Sequence, residues 1–440
     1  MSLSALPQIT PKTNVGSQID SLLSSKYTLN DPGLSVLVAK NGRIIYKNAF
    51  GSANLELKVA MKADMLFNLG SITKQFTAVA ILQLMEKGKL SLQDSIQKYI
   101  PQFPSKPFKI TIEQLLTHTS GLKDYLQINY KEPYLERKDF TPKELIEYFK
   151  NEPLDFEPGT KYKYSNSGYF LLGYIIEMVS GKPYEEYLQE NIFNKLNLRN
   201  TYYDSSNRIF SNRTYGYDKG NVYEKADYWA ASIPYAAGAL ISNVDDLFAW
   251  HSGLLNGKLL NEQTLAKAFS PFHLNDGTKI NYGYGWIIND IDGAIAIGHG
   301  GAITGYKTNE VYYPAQEIYV LILANCNCAP VDELSILISG IAMGKPLQKG
   351  QRLADAVLDQ YLGVYALTND TRRKIKIVKE NGSLVAYTSE KQFYPLVFTS
   401  DKKFEFKNIV DAKCEFIVQN DKVLKFIVNQ NGVFNWKKIE

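Results

Sequence analysis

Residues 67–89 read FNLGSITKQFTAVAILQLMEKGK. A glycine precedes Ser71, Lys74 follows one turn later, and an apolar helical pattern runs on to Gly88. Positions i and i+3 of a helix share a face, so Lys74 is expected to stand over Ser71. Phe76, Val79, Ala80, Ile81, Leu84 and Met85 are expected to face a core. A lysine at the edge of such packing loses solvation, and its pKa falls toward that of a useful base. The helix N-terminus also favours negative charge developing beside Ser71. The competing reading makes Ser71 a plain N-cap. The Ser-x-x-Lys spacing recurs at Ser95–Lys98, Ser120–Lys123 and Ser400–Lys403, each read as a solvated surface pair. Ser71 differs from these in opening an apolar helix.

Outward from this helix the chain organises itself from both ends. Residues 34–50, LSVLVAKNGRIIYKNAF, read as two strands joined at Asn41-Gly42, a dipeptide suited to the φ > 0 positions of a tight hairpin. Helical patterns follow in TIEQLLTHTSGL, TPKELIEYFKN and GYFLLGYIIEMVSG, with Gly121 and Gly181 expected at helix C-termini. Strand composition returns in GAIAIGHGG and YKTNEVYYPAQEIYVLILANC, and VDELSILISGIAMG reads as a closing helix. The economical solution is an α+β domain over residues 1–348: one antiparallel sheet built from both ends, flanked by helices, with a helical subdomain inserted. From Tyr361 onward the chain alternates, as in KIKIVKENGSLVAYTS and CEFIVQNDKVLKFIVNQNGVFNWKKI. Turns are expected at Asn381-Gly382, Asn420-Asp421 and Asn431-Gly432, so residues 349–440 read as a small all-β barrel.

Composition bounds the function. The 440 residues allow two or three domains, and 45% hydrophobic content is ample for a large core. A net charge of +4 with both signs mixed makes nucleic acid and membrane surfaces poor partners. The longest apolar run, IYVLILANC, is too short for a membrane span. The start, MSLSALPQITPK, is no signal peptide as written, although Met1-Ser2-Leu3 fits the scar of a replaced leader. A periplasmic or secreted location is expected if a leader was removed, and a cytoplasmic one otherwise. Cys326, Cys328 and Cys414 are an odd set with an unfavourable C-x-C pair, so no disulfide framework is expected. The four histidines show no metal-ligand spacing, and neither metal nor cofactor is expected.

Two further stretches carry chemistry. In YKYSNSGYFLLGYI, Tyr164 and Asn166 precede a helix, after a turn at Glu157-Pro158-Gly159. They read either as loop caps or as a phenol that moves a proton beside an amide that holds a carbonyl. Tyr46-Lys47-Asn48 has the same spacing inside a strand. In AIAIGHGGAITGYKT, His299 lies between an apolar strand and a glycine pair, where Gly301 would let another chain approach closely. The competing reading is an edge histidine at a bulge. His-x-Gly recurs at His251-Ser252-Gly253, read as a helix end.

Ser71–Lys74, Tyr164–Asn166 and His299–Gly301, in this order, resemble the serine β-lactamase and penicillin-binding protein superfamily. The likeness is greatest to its class C-like branch, with D-aminopeptidases and related esterases. The stretches LLTHTSGL at 115–122 and AAGALISNVDDLFAW at 236–250 also resemble markers of that branch. The resemblance implies a β-lactamase/transpeptidase-like fold and an acyl-enzyme on Ser71. Lys74 would help remove its proton and Tyr164 would shuttle a proton. A phenol is a poor base unless nearby positive charge stabilises the phenolate, and Lys74 and His299 would supply it. Asn166 would hold the substrate's carbonyl side, with His299 and Gly301 positioning substrate. The backbone N–H groups of Ser71 and Ala302 would form the oxyanion hole. The barrel resembles the lipocalin-like domains of some relatives.

The third motif departs from the family pattern at Gly300, where Lys-Thr-Gly enzymes carry a threonine that binds the substrate's carboxylate. The expected function is therefore a serine hydrolase acting on small esters, amides or D-amino-acid peptides. The alternatives are a penicillin-recognising sensor that acylates without turnover, a true class C-like β-lactamase, or a barrel that binds ligand with the front domain secondary. Expected partners are a small-molecule or peptide substrate and a homo-oligomer formed through the barrel.

Overall fold

The computed structural model describes residues 14–128, 135–345, 353–380, 383–389, 392–406, 412–419, 422–430 and 432–440. The chain forms two compact units, residues 1–289 with 295–346, and 347–440 with 290–294. The expected seam at 348/349, the first twelve residues and the turns at Asn381-Gly382, Asn420-Asp421 and Asn431 lie outside the described residues.

The first unit is built on a six-stranded antiparallel sheet. Its strands are β1 (Leu34–Lys40), β2 (Arg43–Phe50), β3 (Ile287–Ile291), β4 (Ala294–Ile303), β5 (Tyr306–Tyr313) and β6 (Ile318–Ala324), in the order β3-β4-β5-β6-β1-β2. The first and last strands of this sheet in sequence meet near its centre, where Leu34 pairs with Ala324 and Lys40 with Ile318. The turn between β1 and β2 holds Asn41 at φ 51° and Gly42 at φ 69°, the left-handed conformations the dipeptide favours. Every residue of β6 is buried, as is β1 up to Ala39. Both faces of these central strands are covered, which is why IYVLILA runs apolar without alternation. Among the described residues, no helix is long and apolar enough to cross a membrane.

The helices include α1 (Asn14–Ser24), α2 (Thr73–Glu86), α3 (Ile112–Leu116), α4 (Pro142–Phe149), α5 (Asn166–Ser180), α6 (Val244–Leu255) and α7 (Val331–Met343), with short helices at Tyr184–Leu188, Asn194–Leu196, Tyr235–Gly238 and Glu262–Ala268. α3 and α4 start with reciprocal capping boxes, Thr111 with Gln114 and Thr141 with Glu144. α5 ends on Gly181 and α7 on Gly344, both left-handed. Gly121 does not end a helix, since α3 stops at Leu116 and Gly121 lies in the following loop at φ 71°. His251-Ser252-Gly253 lies toward the C-terminal end of α6, which runs to Leu255, and the His251 ring stacks on Tyr319 at 4.0 Å. Ser120 is buried, not solvated, and its Oγ accepts from the Leu122 N–H at 3.3 Å.

Cys326 and Cys328 form a disulfide, against the expectation from their spacing. The turn after β6 brings their Cα atoms to 5.1 Å, within the range a bridge spans. Cys414 is free and buried, and burial pushes its thiol up to about 12.

The second unit is a closed eight-stranded antiparallel barrel of β7 (Gly363–Leu367), β8 (Asp370–Glu380), β9 (Ser383–Ser389), β10 (Gln392–Phe398), β11 (Lys403–Phe406), β12 (Lys413–Gln419), β13 (Lys422–Asn429) and β14 (Val433–Lys438). A short helix, α8 (Asp355–Gln360), precedes it. Its strands pair across the expected turns, Glu380 with Ser383, Gln419 with Lys422 and Asn429 with Val433. The interior is filled with aromatic and aliphatic side chains. Tyr361 stacks on Phe416 at 4.0 Å, Phe404 packs on Phe416 at 4.7 Å, and Tyr365, Phe426 and Trp436 share the core with aliphatic residues such as Ile377, Leu384 and Leu396.

Candidate active site

The helix that carries Lys74 is buried nearly all round. Thr73 to Leu84 are all buried, so there is no single apolar face, and Met85 is only half-buried. The regular helix starts at Thr73, and Gly70–Ile72 form a preceding 3-10 turn. The caps of these two elements are Leu69 and Ile72, neither using a side chain, so Ser71 is not an N-cap. It sits inside the tight turn with its hydroxyl on the Lys74 side.

Two glycines make this turn possible. Gly70 adopts φ 54°, and a Cβ there would stand 2.9 Å from the Ala302 amide nitrogen. A Cβ on Gly301 would stand 2.0 Å from the Leu69 carbonyl oxygen. Side chains at either position would force strand β4 and the serine turn apart. The Thr308 hydroxyl donates to the Leu69 carbonyl at 2.8 Å and fastens the same contact. The backbones around Ser71 and Ala302 are thereby held against each other.

Lys74 is completely buried, and its Nζ donates to three acceptors: Ser71 Oγ at 2.9 Å, Asn166 Oδ1 at 2.8 Å and the Ala237 carbonyl at 2.9 Å. Burial pulls its pKa down to about 7, against an opposing pull from the Asp124 carboxylate. Of the three acceptors, only the Ser71 hydroxyl can also donate. When Lys74 is neutral, Ser71 is therefore the one of these three hydrogen-bond partners that can give it a proton.

Tyr164 precedes α5, whose first residue is Asn166 and whose N-cap is Ser165. The Tyr164 ring packs on His118 at 4.2 Å, and Lys74 Nζ lies 4.8 Å from its centroid. The Tyr164 hydroxyl is buried with no partner of ordinary hydrogen-bond geometry, though it lies near enough to Ser71 for that hydroxyl to favour the phenolate weakly. Burial outweighs this and pushes the phenol well above its usual pKa. Tyr164 is thus a neutral phenol, a proton donor rather than a resting base.

His299 is buried on β4. Its Nδ1 lies 2.6 Å from the Gly300 carbonyl, which can only accept, so Nδ1 carries the proton and Nε2 accepts from the Tyr282 hydroxyl at 3.0 Å. Burial, reinforced by the Lys74 charge, pulls its pKa down to about 3. His299 is therefore neutral, which corrects the expectation that it supplies positive charge beside Tyr164. Gly300 is not left-handed, and a Cβ there would find ordinary room, 3.7 Å from both Asn309 Nδ2 and Asp332 Oδ1.

Three supporting residues escaped the sequence reading. His118, at φ 58°, accepts the Ser165 N–H on Nδ1 at 3.1 Å and backs the Tyr164 ring. Asp124 accepts from Asn166 Nδ2 at 2.9 Å. Tyr282 meets His299 and lies against His118, ring centroids 4.7 Å apart. His118 belongs to LLTHTSGL and Ala237 to AAGALISNVDDLFAW, so both stretches have a physical task at this site.

A beta-lactamase family model matches residues 28–337. Penicillin-binding protein 4* of Bacillus subtilis (strain 168) is 29% identical over 437 residues, covering 93% of this chain and 95% of that protein. Protein flp of Staphylococcus aureus (strain MW2) is 27% identical, covering 72% of this chain and 64% of that protein. Among solved structures, a D-stereospecific amidohydrolase from Streptomyces sp. superposes with a TM-score of 0.64 at 26% identity, over 75% of this chain and 99% of that one. An octameric penicillin-binding protein homologue from Pyrococcus abyssi shares the fold over 97% of this chain and 100% of its own, with a TM-score of 0.65 at 24% identity.

Proposed function

The chain belongs to the beta-lactamase family, and from that premise we propose that it is a serine hydrolase working through an acyl-enzyme on Ser71. The observation that carries this reading is the completely buried Lys74 with its Nζ 2.9 Å from Ser71 Oγ. Neutral Lys74 takes the Ser71 proton as Oγ attacks the substrate carbonyl. The N–H groups of Ser71 and Ala302 receive the oxyanion, and the second hydrogen of Asn166 Nδ2 holds the carbonyl side. Tyr164 gives its proton to the leaving group and is refilled from Lys74. In the second half, neutral Lys74 takes a proton from the attacking water and returns it to Ser71 Oγ as the acyl–Oγ bond breaks and the acid leaves. His299 acts as a neutral wall that keeps Tyr282 and the glycine strand in place.

Small esters, amides and D-amino-acid peptides are the proposed substrates, rather than acids bound by a free carboxylate. At Gly300 no hydroxyl is available, and the nearest charged group to its missing side chain is the Asp332 carboxylate. Lys307 lies 3.8 Å from Asp332 Oδ2 and is already engaged there. The likeness to a D-stereospecific amidohydrolase supports the same choice. A sensor that acylates without turnover would show a burst and no steady rate. The test is a panel of p-nitrophenyl esters, D-amino-acid p-nitroanilides and nitrocefin, with Ser71→Ala as control. Steady turnover of esters or anilides that vanishes in Ser71→Ala is expected. For the barrel we propose a role in assembly rather than in carrying ligand, because buried aromatic and aliphatic side chains fill its interior.

A further inference from the structure

Lys74 can act on Ser71 only if its lone pair points there. Its other two partners decide this, since each must keep accepting an N–H when the lysine is neutral. The Ala237 carbonyl always accepts. Asn166 is ambiguous, because a flipped amide would present Nδ2 to Lys74 and offer it a second proton source. The flip would draw the lone pair away from Ser71.

Asp124 removes the ambiguity. It is buried, with 4% of its surface exposed, and a carboxylate oxygen can only accept. Its Oδ2 takes the Asn166 Nδ2 hydrogen at 2.9 Å, and its Oδ1 takes the Leu126 N–H at 3.0 Å. Asn166 Oδ1 is thereby turned to Lys74. We propose that Asp124 is the positioning residue of this site: by fixing the Asn166 amide it aims the Lys74 lone pair at Ser71, and by its charge it steadies the lysine's protonated form during the reaction. The proposal rests on the serine-hydrolase reading above.

The groups facing Lys74 leave this charge role to Asp124. From α2's own turn comes the Ser71 hydroxyl. The Tyr164 and Tyr169 rings stand 4.8 and 5.7 Å from Nζ. His118 and His299 are both held neutral by burial. Asp124 is the one carboxylate acting on the lysine among the described residues.

The test is the pH profile of kcat/KM for p-nitrophenyl acetate, which has no titrating group, in wild type and Asp124→Asn. Removing the charge lowers the lysine pKa, so the acid limb should move down by about one pH unit or more. Loss of aim should lower plateau kcat by about 10- to 100-fold. Asp124→Glu, which keeps charge and acceptor, should leave the limb near its wild-type position. If Asp124→Asn does not fold by thermal melt, Asp124→Ser provides the same comparison. A reduced rate with an unmoved limb would overturn the proposal, leaving Asp124 a packing residue. A raised KM with unmoved limb and kcat would overturn it too, making Asp124 a substrate contact. Failure of the hydrolase reading looks different, since Ser71→Ala would then be as active as wild type.

Discussion

At the scale of single residues, one protonation state governs the site. Lys74 with a pKa of about 7 is charged below neutrality and cannot take a proton from Ser71. The rate on a neutral ester should therefore fall as pH drops through about 7 and level off above it; a flat profile from pH 5 to 9 would exclude Lys74 as base. Lys74→Ala and Tyr164→Phe should each lose at least about 10²-fold in kcat, the usual scale for acid–base groups. Gly300→Thr tests specificity. Its backbone is not left-handed and room exists for the side chain, so the variant should fold. One hydrogen bond to a charged group contributes about 1.5–3 kcal/mol, so the nitrocefin to p-nitrophenyl acetate ratio should rise by about 10- to 150-fold. An unchanged ratio would show that Gly300 does not set carboxylate recognition. Spacing alone left Ser71 with Lys74, and Tyr164 with Asn166, open between capping and chemistry; the resemblance of the three motifs in order singled them out, and the structure brings Ser71 and Asn166 together on Lys74 Nζ. Asp124 and His118 were not legible, because their partners are Asn166 and Ser165, 42 and 47 positions away, and no local pattern announces such a bond.

At the scale of elements, the serine turn depends on a strand nearly 230 positions along the chain. Gly301 is the point of contact. Gly301→Ala would drive a methyl to 2.0 Å from the Leu69 carbonyl and 2.3 Å from Thr308 Oγ1, and backbone cannot step aside cheaply. Overpacking of this kind typically costs about 1–3 kcal/mol. Urea unfolding should show that loss together with loss of activity; full stability and full rate would mean the contact is not needed. The β1–β2 hairpin was legible because an Asn-Gly turn separates two strand-like runs. The 3-10 turn at Gly70–Ile72 was not, because alongside Gly70's left-handed backbone it relies on close contact with β4, far along the chain. Gly121 misled for a related reason: it permits a left-handed loop, and a helix end is only one use of that freedom.

At the scale of the whole molecule, alternation made the barrel legible from Tyr361 onward, since each strand has one face in a filled core and one in water. Lipid or small-molecule binding inside that core would require expelling Phe416, Tyr361 or their neighbours. Fluorescent fatty-acid probes should therefore show no saturable binding to the protein, and saturable binding would contradict the assembly role. Oligomeric state follows from light scattering of the intact chain across a dilution series. A defined assembly larger than one chain is expected, and a monomer at all concentrations would remove that role.

The central claim is that Ser71 becomes acylated because Lys74 lies beside it. The most direct test is intact and peptide mass spectrometry after exposure to a fluorophosphonate or a fluorescent penicillin, in wild type and Lys74→Ala. One adduct per chain on the peptide carrying Ser71, and its loss or marked slowing in Lys74→Ala, is the result the account predicts. An adduct on Ser95, Ser120 or Ser400, or equal labelling of Ser71 without Lys74, would contradict it.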